Sequence, residues 1–169
     1  MKKLFKVSAI LLVIAMLAAF ASCGGNNDSK GDVVKVVDIA LTDENYAFGV
    51  AKDDAALQES VNSFIKEIKE NGELDKIVEK YFGKGTPEAV VSAKEDSSKD
   101  QLVVVTNAAF PPFEYVEGDS FYGIDMEMAK LLADKLGKEL VIKNVDFDAV
   151  CTTVDSGYAD VAAAGLTVN

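Results

Sequence analysis

The chain has 169 residues, with 17 basic and 28 acidic side chains, and 49% of its residues are hydrophobic. All the basic residues are lysines, and the absence of histidine excludes a Ser/His/Asp triad, a histidine general base and a histidine metal site. Cys23 and Cys151 are too few for a zinc site and too far apart for a redox pair, and the net charge of −11 argues against nucleic acid as a partner. We expect one ordinary globular core with no cofactor, no metal and no catalytic residue.

Residues 1–22 have the layout of an export signal, because three lysines precede an unbroken apolar run at 9–21. This run is shorter than the ~20 residues that a membrane-spanning helix needs. The sequence Phe-Ala-Ser-Cys-Gly-Gly at 20–25 resembles the lipobox of bacterial lipoproteins, although Phe20 replaces the usual aliphatic residue. The resemblance implies that Cys23 is lipid-modified and anchors the protein to the membrane. The alternative is cleavage after residue 21, which would leave Cys23 as a free thiol.

A predicted tether and two short strands follow the signal. Residues 23–32 are polar and lack a periodic apolar pattern, which predicts a flexible segment. Short apolar runs at 33–39 and at 46–51 each predict a strand.

Two amphipathic helices are predicted next. Asp53 and Asp54 offer an N-cap for the first helix. Its apolar residues recur at helical spacing: Leu57, Val61, Phe64, Ile65 and Ile68. Gly72 separates this helix from a second one, which Gly83 ends.

Residues 83–100 are dominated by glycine, proline, serine and charged residues, which predicts a linker that could turn at 89–91. Strands and helices alternate after this linker. Strands are predicted at 102–105, 140–145 and 159–164, and a hairpin at 114–124. We expect Asp125 and Asp148 to cap the two intervening helices, and Cys151 to lie on the buried face of the second. This alternation predicts an α/β fold, in which helices flank a mostly parallel sheet and ligands bind at the carboxyl ends of its strands.

Several motifs in this second half lie in the order found at the start of a known family. They are Asn-Ala-Ala-Phe-Pro-Pro-Phe-Glu-Tyr at 107–115, Tyr-Gly-Ile-Asp at 122–125, Asp-Phe-Asp at 146–148, Ser-Gly-Tyr-Ala-Asp-Val at 156–161 and Gly-Leu-Thr at 165–167. Together they resemble the family 3 solute-binding proteins, which are extracytoplasmic receptors of amino-acid ABC importers with a type II, two-lobe periplasmic-binding fold. Residues 46–82 are similar to the opposite, carboxy-terminal end of the same family.

The resemblance therefore implies a circularly permuted chain. On this interpretation 33–82 is the C-terminal-like segment of lobe one, 83–100 is the new join and 101–169 is the N-terminal-like segment. Both segments belong to the same lobe in the family, so together they could form one sheet and one core. We expect a single lobe without lobe two.

The resemblance also implies the ligand-binding residues, which are Asn107, Phe110, Phe147, Ala164, Gly165 and Thr167. Structural roles stay open for several of them: Asn107 could cap its loop, Phe147 could belong to the core, and the last residues could be frayed. The family has an arginine shortly after the Gly-Leu-Thr turn, which pairs with the carboxylate of the ligand, and this chain has none. We therefore expect weak or no binding of amino acids by this chain alone.

The sequence favours a non-catalytic receptor component for amino acids or similar small polar solutes. Its expected partners are an ABC transporter permease and the membrane surface, reached from outside the cytoplasm through Cys23. The alternative is a truncated, non-functional fragment, or a lobe with only a scaffolding or partner-binding role. An enzyme on this fold is disfavoured, because no general acid or base is evident.

Overall fold

The computed structural model describes residues 44–168. The predicted signal peptide, Cys23, the tether at 23–32 and the strand at 33–39 lie outside these residues. The described strands are β1 (Gly49–Val50), β2 (Gln101–Thr106), β3 (Ala109–Phe110), β4 (Glu114–Glu117), β5 (Ser120–Tyr122), β6 (Glu139–Asn144) and β7 (Val161–Ala162). The described helices are α1 (Ala55–Glu70), α2 (Glu73–Phe82), α3 (Ile124–Leu136) and α4 (Phe147–Asp155).

The main sheet has four strands in the order β1-β7-β2-β6. Strand β2 runs parallel to β6 over its whole length and parallel to β7. Strand β1 joins the sheet antiparallel to β7, with Gly49 opposite Ala162. The predicted α/β fold with a mostly parallel sheet is confirmed, and a strand from the first half of the chain forms part of it. That strand is shorter than predicted, since it covers only Gly49–Val50.

Helices cover both faces of the sheet. Successive side chains of β2 point to opposite faces, so each face presents apolar side chains to the helices that pack on it. Leu102 and Val104 pack on one face with residues of α1, α2 and α3, including Phe64, Ile77 and Leu132. The other face is smaller and packs against α4. It contains Val105, Val150, Val154, Ala159, Ala162 and Ala164. Residues from both halves of the chain therefore share one core.

Helix α1 begins as predicted, whereas α3 and α4 do not. The carboxylate of Asp54 accepts a hydrogen bond from the backbone N–H of Leu57 over 2.9 Å, which is the expected N-cap. Asp125 is not a cap: α3 begins at Ile124 and places Asp125 inside its first turn, where it is buried. Asp148 is likewise inside the first turn of α4, which Asp146 precedes.

Cys151 is exposed, so the prediction of a buried cysteine is wrong. Val150 and Val154 are four residues apart and therefore lie on the same side of α4, where they pack against the sheet. Cys151 follows Val150 directly and is turned by about 100° around the helix axis, which brings it to the surface. None of the helices within the described range is both long and apolar enough to cross a membrane.

The predicted linker 83–100 follows the edges of two sheets and does not turn at 89–91. A second sheet has the order β3-β4-β5, and Val90 forms an antiparallel bridge with Phe121 of β5. Two backbone hydrogen bonds of 2.7 and 2.9 Å make this bridge, and Val90 is buried. Farther along, the N–H of Ala93 donates to the carbonyl of Leu140 in β6 over 2.8 Å. The segment therefore covers sheet edges that would otherwise be open.

Candidate functional site

The carboxyl ends of β2, β6 and β7 meet at one edge of the main sheet, where the sequence predicts a ligand. The side-chain amide of Asn107, just after β2, donates to the carbonyl of Val145, just after β6, over 2.7 Å. The backbone N–H of Val145 in turn donates to the carbonyl of Thr106. This bond of Asn107 is the loop contact that the sequence left open, and its role toward a ligand stays a prediction.

Phe110 and Gly165 are in contact at this edge. The backbone of Gly165 has a φ of +54°, and a Cβ built there would lie 2.9 Å from Cδ1 of Phe110. The ring of Phe110 therefore lies directly over the turn that follows β7. About half of Phe110 is exposed, so one part of the ring is available to a solute. Two residues predicted from the resemblance thus form one surface.

Phe113 supports this surface from behind. The ring of Phe113 is stacked on the ring of Phe110, with 5.4 Å between the ring centroids. The centroid of the Tyr46 ring lies 4.6 Å from that of Phe113. Phe82, at the end of α2, approaches the edge of the same ring at 6.4 Å. Tyr46 and Phe82 come from the first half of the chain, which therefore contributes to the aromatic surface of the site.

The turn at residues 165–167 is held by the chain segment before β1. Tyr46 and Thr167 form an isolated antiparallel bridge. The N–H of Ala47 donates to the carbonyl of Leu166 over 2.9 Å, and the N–H of Val168 donates to the carbonyl of Asn45 over 3.0 Å. These bonds order the backbone of a turn that the sequence alone left open to fraying. Thr167 is exposed.

Two further predicted residues differ in what they can offer a solute. Ala164 is buried and packs on the α4 side of the sheet, so its methyl group belongs to the core. Phe147 is the first residue of α4 and 54% of it is exposed, so it is not a core residue. Its exposure is compatible with a role in contacting a solute, which stays a prediction.

Two buried acids beneath Phe110 were not predicted from the sequence as site residues. Glu114 in β4 is 1% exposed, and its Oε2 is one of two buried side-chain oxygens without a hydrogen-bond partner in the described part of the chain, the other being Oγ1 of Thr106. The Oε1 atom of Glu114 lies 3.6 Å from the position of a Cβ on Gly165. Asp125 in α3 accepts a hydrogen bond from the backbone N–H of Gly165 over 2.9 Å. Both acids therefore converge on the same turn.

Burial controls the ionisation of these two acids. Removal from water and, to a smaller extent, the nearby charge of Asp125 together raise the pKa of Glu114 to about 8. Burial also raises the pKa of Asp125 to about 6, although the hydrogen bond from Gly165 favours its ionised form. At neutral pH Glu114 is therefore protonated and Asp125 is ionised. A sequence signal existed for Glu114, since it lies between two aromatic residues, Phe113 and Tyr115, in the stretch that follows two prolines.

The candidate site is separate from a groove beside β1. One groove of about 330 Å³ lies between β1 and α4, where Val50, Cys151 and Ala162 line it, and it includes neither Phe110 nor Gly165. Among residues 44–168 no cluster of three potential metal ligands is present. The chemistry available here is an aromatic face, backbone groups of a glycine turn, and buried carboxyl groups.

An α/β lobe with an aromatic surface above buried acids at the carboxyl ends of its strands has the architecture of a small-molecule binding domain. The sequence model of the bacterial extracellular solute-binding proteins, family 3, matches this chain over residues 6–84 and 102–169. The chain belongs to this family, which confirms the resemblance seen in its motifs. The family is one of binding proteins and not of enzymes.

Individual relatives match only part of the chain. The arginine-binding extracellular protein ArtP of Bacillus subtilis is 40% identical over 72 residues, which cover 43% of this chain and 28% of ArtP. The arginine-binding protein ArgT of Corynebacterium glutamicum is 32% identical over 69 residues, covering 40% of this chain and 23% of ArgT. The alignments thus span less than a third of each relative. A solved structure, the arginine-bound form of domain 1 from TmArgBP, is 34% identical with a TM-score of 0.41, covering 46% of this chain and 63% of that one.

Proposed function

We propose that this chain forms the solute-contacting lobe of the substrate-binding component of an ABC importer for amino acids, with a preference for cationic side chains. The observation that carries the proposal is the contact between Phe110 and Gly165 above the buried acids Glu114 and Asp125. Family membership and the arginine-binding names of two relatives support it.

Each part of the surface can take one chemical task in binding an amino acid. The exposed face of Phe110 can pack on the aliphatic stem of an amino acid and attract a cation through its ring electrons. The backbone carbonyl of Gly165 can accept from the ammonium group of an amino acid, and the hydroxyl of Thr167 can donate to its carboxylate. The negative charge of Asp125 favours a positively charged side chain over a negative one.

We further propose that the chain is a circular permutant of one lobe. The pairing of β1 with β7 and the bridge between Tyr46 and Thr167 support this interpretation, because they join the two family-like segments in one sheet. The segment 83–100 is the proposed join, and its backbone bonds to β5 and β6 let it connect the segments without disturbing the core. A second lobe would complete the enclosure of the solute.

The proposed location is outside the cytoplasm, with the lobe anchored to the membrane by a lipid on Cys23 and the ABC permease as its partner. The layout of residues 1–25 and the extracellular character of the family support this proposal. Labelling of expressing cells with a radioactive or clickable fatty acid tests it, since Cys23→Ser should abolish incorporation and Cys151→Ser should not.

Calorimetric titration of the full chain in mild detergent with arginine, lysine, histidine, glutamine and glutamate tests solute binding. We expect weak binding of the cationic amino acids and none of glutamate.

Phe110→Ala should lower the affinity by about tenfold, as expected for the loss of one cation–π and apolar contact. The matched control is Tyr158→Ala, because Tyr158 is also an exposed aromatic residue and precedes β7 at the opposite end of the strand. A folded chain that binds none of these solutes would favour the scaffolding or partner-binding role.

A further inference from the structure

Asp125 connects helix α3 to the turn after β7. Its backbone N–H donates to the carbonyl of Phe113 over 3.0 Å, which fixes Asp125 at the start of α3. Its Oδ2 atom accepts the backbone N–H of Gly165 over 2.9 Å. Because Asp125 is 6% exposed, water competes little for this bond. The carboxylate therefore holds the Gly165 end of a turn whose other end is bonded to the segment before β1.

Glu114 approaches Gly165 from a different element. Its backbone pairs with Phe110 in the β3–β4 ladder, and its Oε1 reaches the space beside the Cα of Gly165. No lysine in the range 44–168 forms an ion pair or hydrogen bond with Glu114 or Asp125. The remaining titratable group that faces both acids is Tyr46, from the segment before β1, whose hydroxyl donates to Glu44.

Two buried carboxyl groups with a single backbone donor can stabilise one negative charge. That donor is the N–H of Gly165, which bonds to Asp125, so the charge resides on Asp125 and the proton on Glu114. A protonated Glu114 does not repel its neighbour, which keeps Asp125 ionised and its bond to Gly165 charge-assisted.

We propose that Asp125 is a positioning residue for solute binding: its carboxylate holds the Gly165 turn against Phe110, and loss of the carboxylate charge loosens the turn. Glu114 assists by carrying the proton of the pair. The solute-binding part of this inference rests on the proposed function, whereas the hold on the turn can be measured without any solute.

Amide hydrogen exchange of the ¹⁵N-labelled full chain in mild detergent tests the hold on the turn. The protection factor of the Gly165 amide should fall on the order of tenfold between pH 7.5 and pH 5, the difference between a charge-assisted and a neutral hydrogen bond. Asp125→Asn keeps a neutral acceptor, so its protection should be lower than in the wild type and independent of pH. Asp125→Ala should lose the protection.

The amide of Ala163 is the internal control, because it donates to the carbonyl of Val105 within the sheet and reports whether each variant is folded. Its protection should be the same in all variants. Unchanged protection of Gly165 across the pH range in the wild type, or wild-type protection in Asp125→Ala, overturns the proposal.

The solute arm repeats the calorimetric titration at pH 7.5 with arginine. Asp125→Ala should weaken binding more than Asp125→Asn does, because only asparagine retains an acceptor for Gly165. If Gly165 loses protection in Asp125→Ala and arginine affinity is unchanged, the positioning role is wrong. If the wild-type chain binds no amino acid, the proposed function fails, and the exchange data alone decide whether Asp125 holds the turn.

Discussion

The hydroxyl of Tyr81 donates to Oε1 of Glu127 over 2.7 Å and also accepts the backbone N–H of Gly123 over 2.9 Å. The other carboxylate oxygen of Glu127 pairs with Lys80 at 2.6 Å. The backbone N–H of Glu88 donates to Glu127 as well, over 3.1 Å. One buried carboxylate therefore connects α2, the segment 83–100 and α3, and it does so at the start of the helix that carries Asp125.

Glu127→Ala should destabilise the protein by about 3 kcal/mol, because it leaves Lys80 and the Tyr81 hydroxyl without their buried acceptor. Equilibrium unfolding in urea measures this change. The matched control is Glu73→Ala, which removes the exposed ion pair of Glu73 with Lys76 and should cost less than about 1 kcal/mol. Equal losses in the two variants would contradict a special role for Glu127.

Val90 and Val91 are neighbours that differ in burial, which tests whether the segment 83–100 is part of the folded core. Val90 is 4% exposed and Val91 is 69% exposed. Val90→Ala should lower the free energy of unfolding by about 1 to 2 kcal/mol, since it removes buried methyl groups, whereas Val91→Ala should change it by less than about 0.5 kcal/mol. Urea unfolding of both variants checks the difference. If both substitutions were neutral, the segment would be a loose linker, as the sequence suggests.

Gly165→Ala should displace the ring of Phe110, because the added Cβ would come within 2.9 Å of that ring. The substitution also destabilises the protein because the backbone of residue 165 has a positive φ, which alanine adopts less readily than glycine. Gly137→Ala is the matched control, since Gly137 has a φ of +69° and nothing within 4 Å of its Cβ position. Both variants should lose about 1 kcal/mol from the backbone term, and Gly165→Ala should lose roughly 1 kcal/mol more. Urea unfolding, with the ring proton shifts of Phe110 as a second readout, separates the two effects.

Glu114 should make the protein less stable as the pH rises. Its pKa is about 8 in the folded chain and near 4.5 when unfolded, so between these values the folded state retains a proton that the unfolded state releases. The stabilisation is fully present below pH 4.5 and is lost as the pH rises through 8. Each unit of pKa difference corresponds to about 1.4 kcal/mol, so the total loss is several kcal/mol.

Glu114→Gln cannot ionise and should therefore be more stable than the wild type at pH 8 and similar to it at pH 5. Urea unfolding at a series of pH values measures both curves. Glu117→Gln, in the same strand but exposed, should retain the pH dependence of the wild type. A wild-type curve with no decline between pH 5 and pH 8 would mean that Glu114 is not held in its protonated form.

The elements that the sequence predicted correctly depend on local interactions. The N-cap of α1 needs only Asp54 and the backbone three residues later. The hairpin of β4 and β5 turns at Gly118, whose φ of +61° favours glycine. The family motifs also lie within continuous stretches, so Phe110 and Gly165 could be selected as site residues before their contact was known.

The sequence misplaced residues whose surroundings come from distant parts of the chain. Asp125 resembled a helix cap, but α3 begins one residue before it. The backbone of Gly123 lies so close to the carbonyl of Phe113 that a Cβ at this position would collide with it. The start of α3 therefore lies directly against the hairpin. Glu114 was passed over as a site residue because an acid beside aromatic residues does not reveal its own burial.

The amino-acid sequence by itself determined the family, the alternation of strands and helices, and the aromatic and glycine residues of the candidate site. Only the tertiary structure decided that two acids lie beneath these residues and that one of them holds the Gly165 turn. Periodicity and capping depend on neighbours within a few residues, whereas the ionisation of a carboxyl group depends on all the atoms that exclude water from it. For Glu114 and Asp125 those atoms come from β3, α3 and the turn after β7, which only folding brings together.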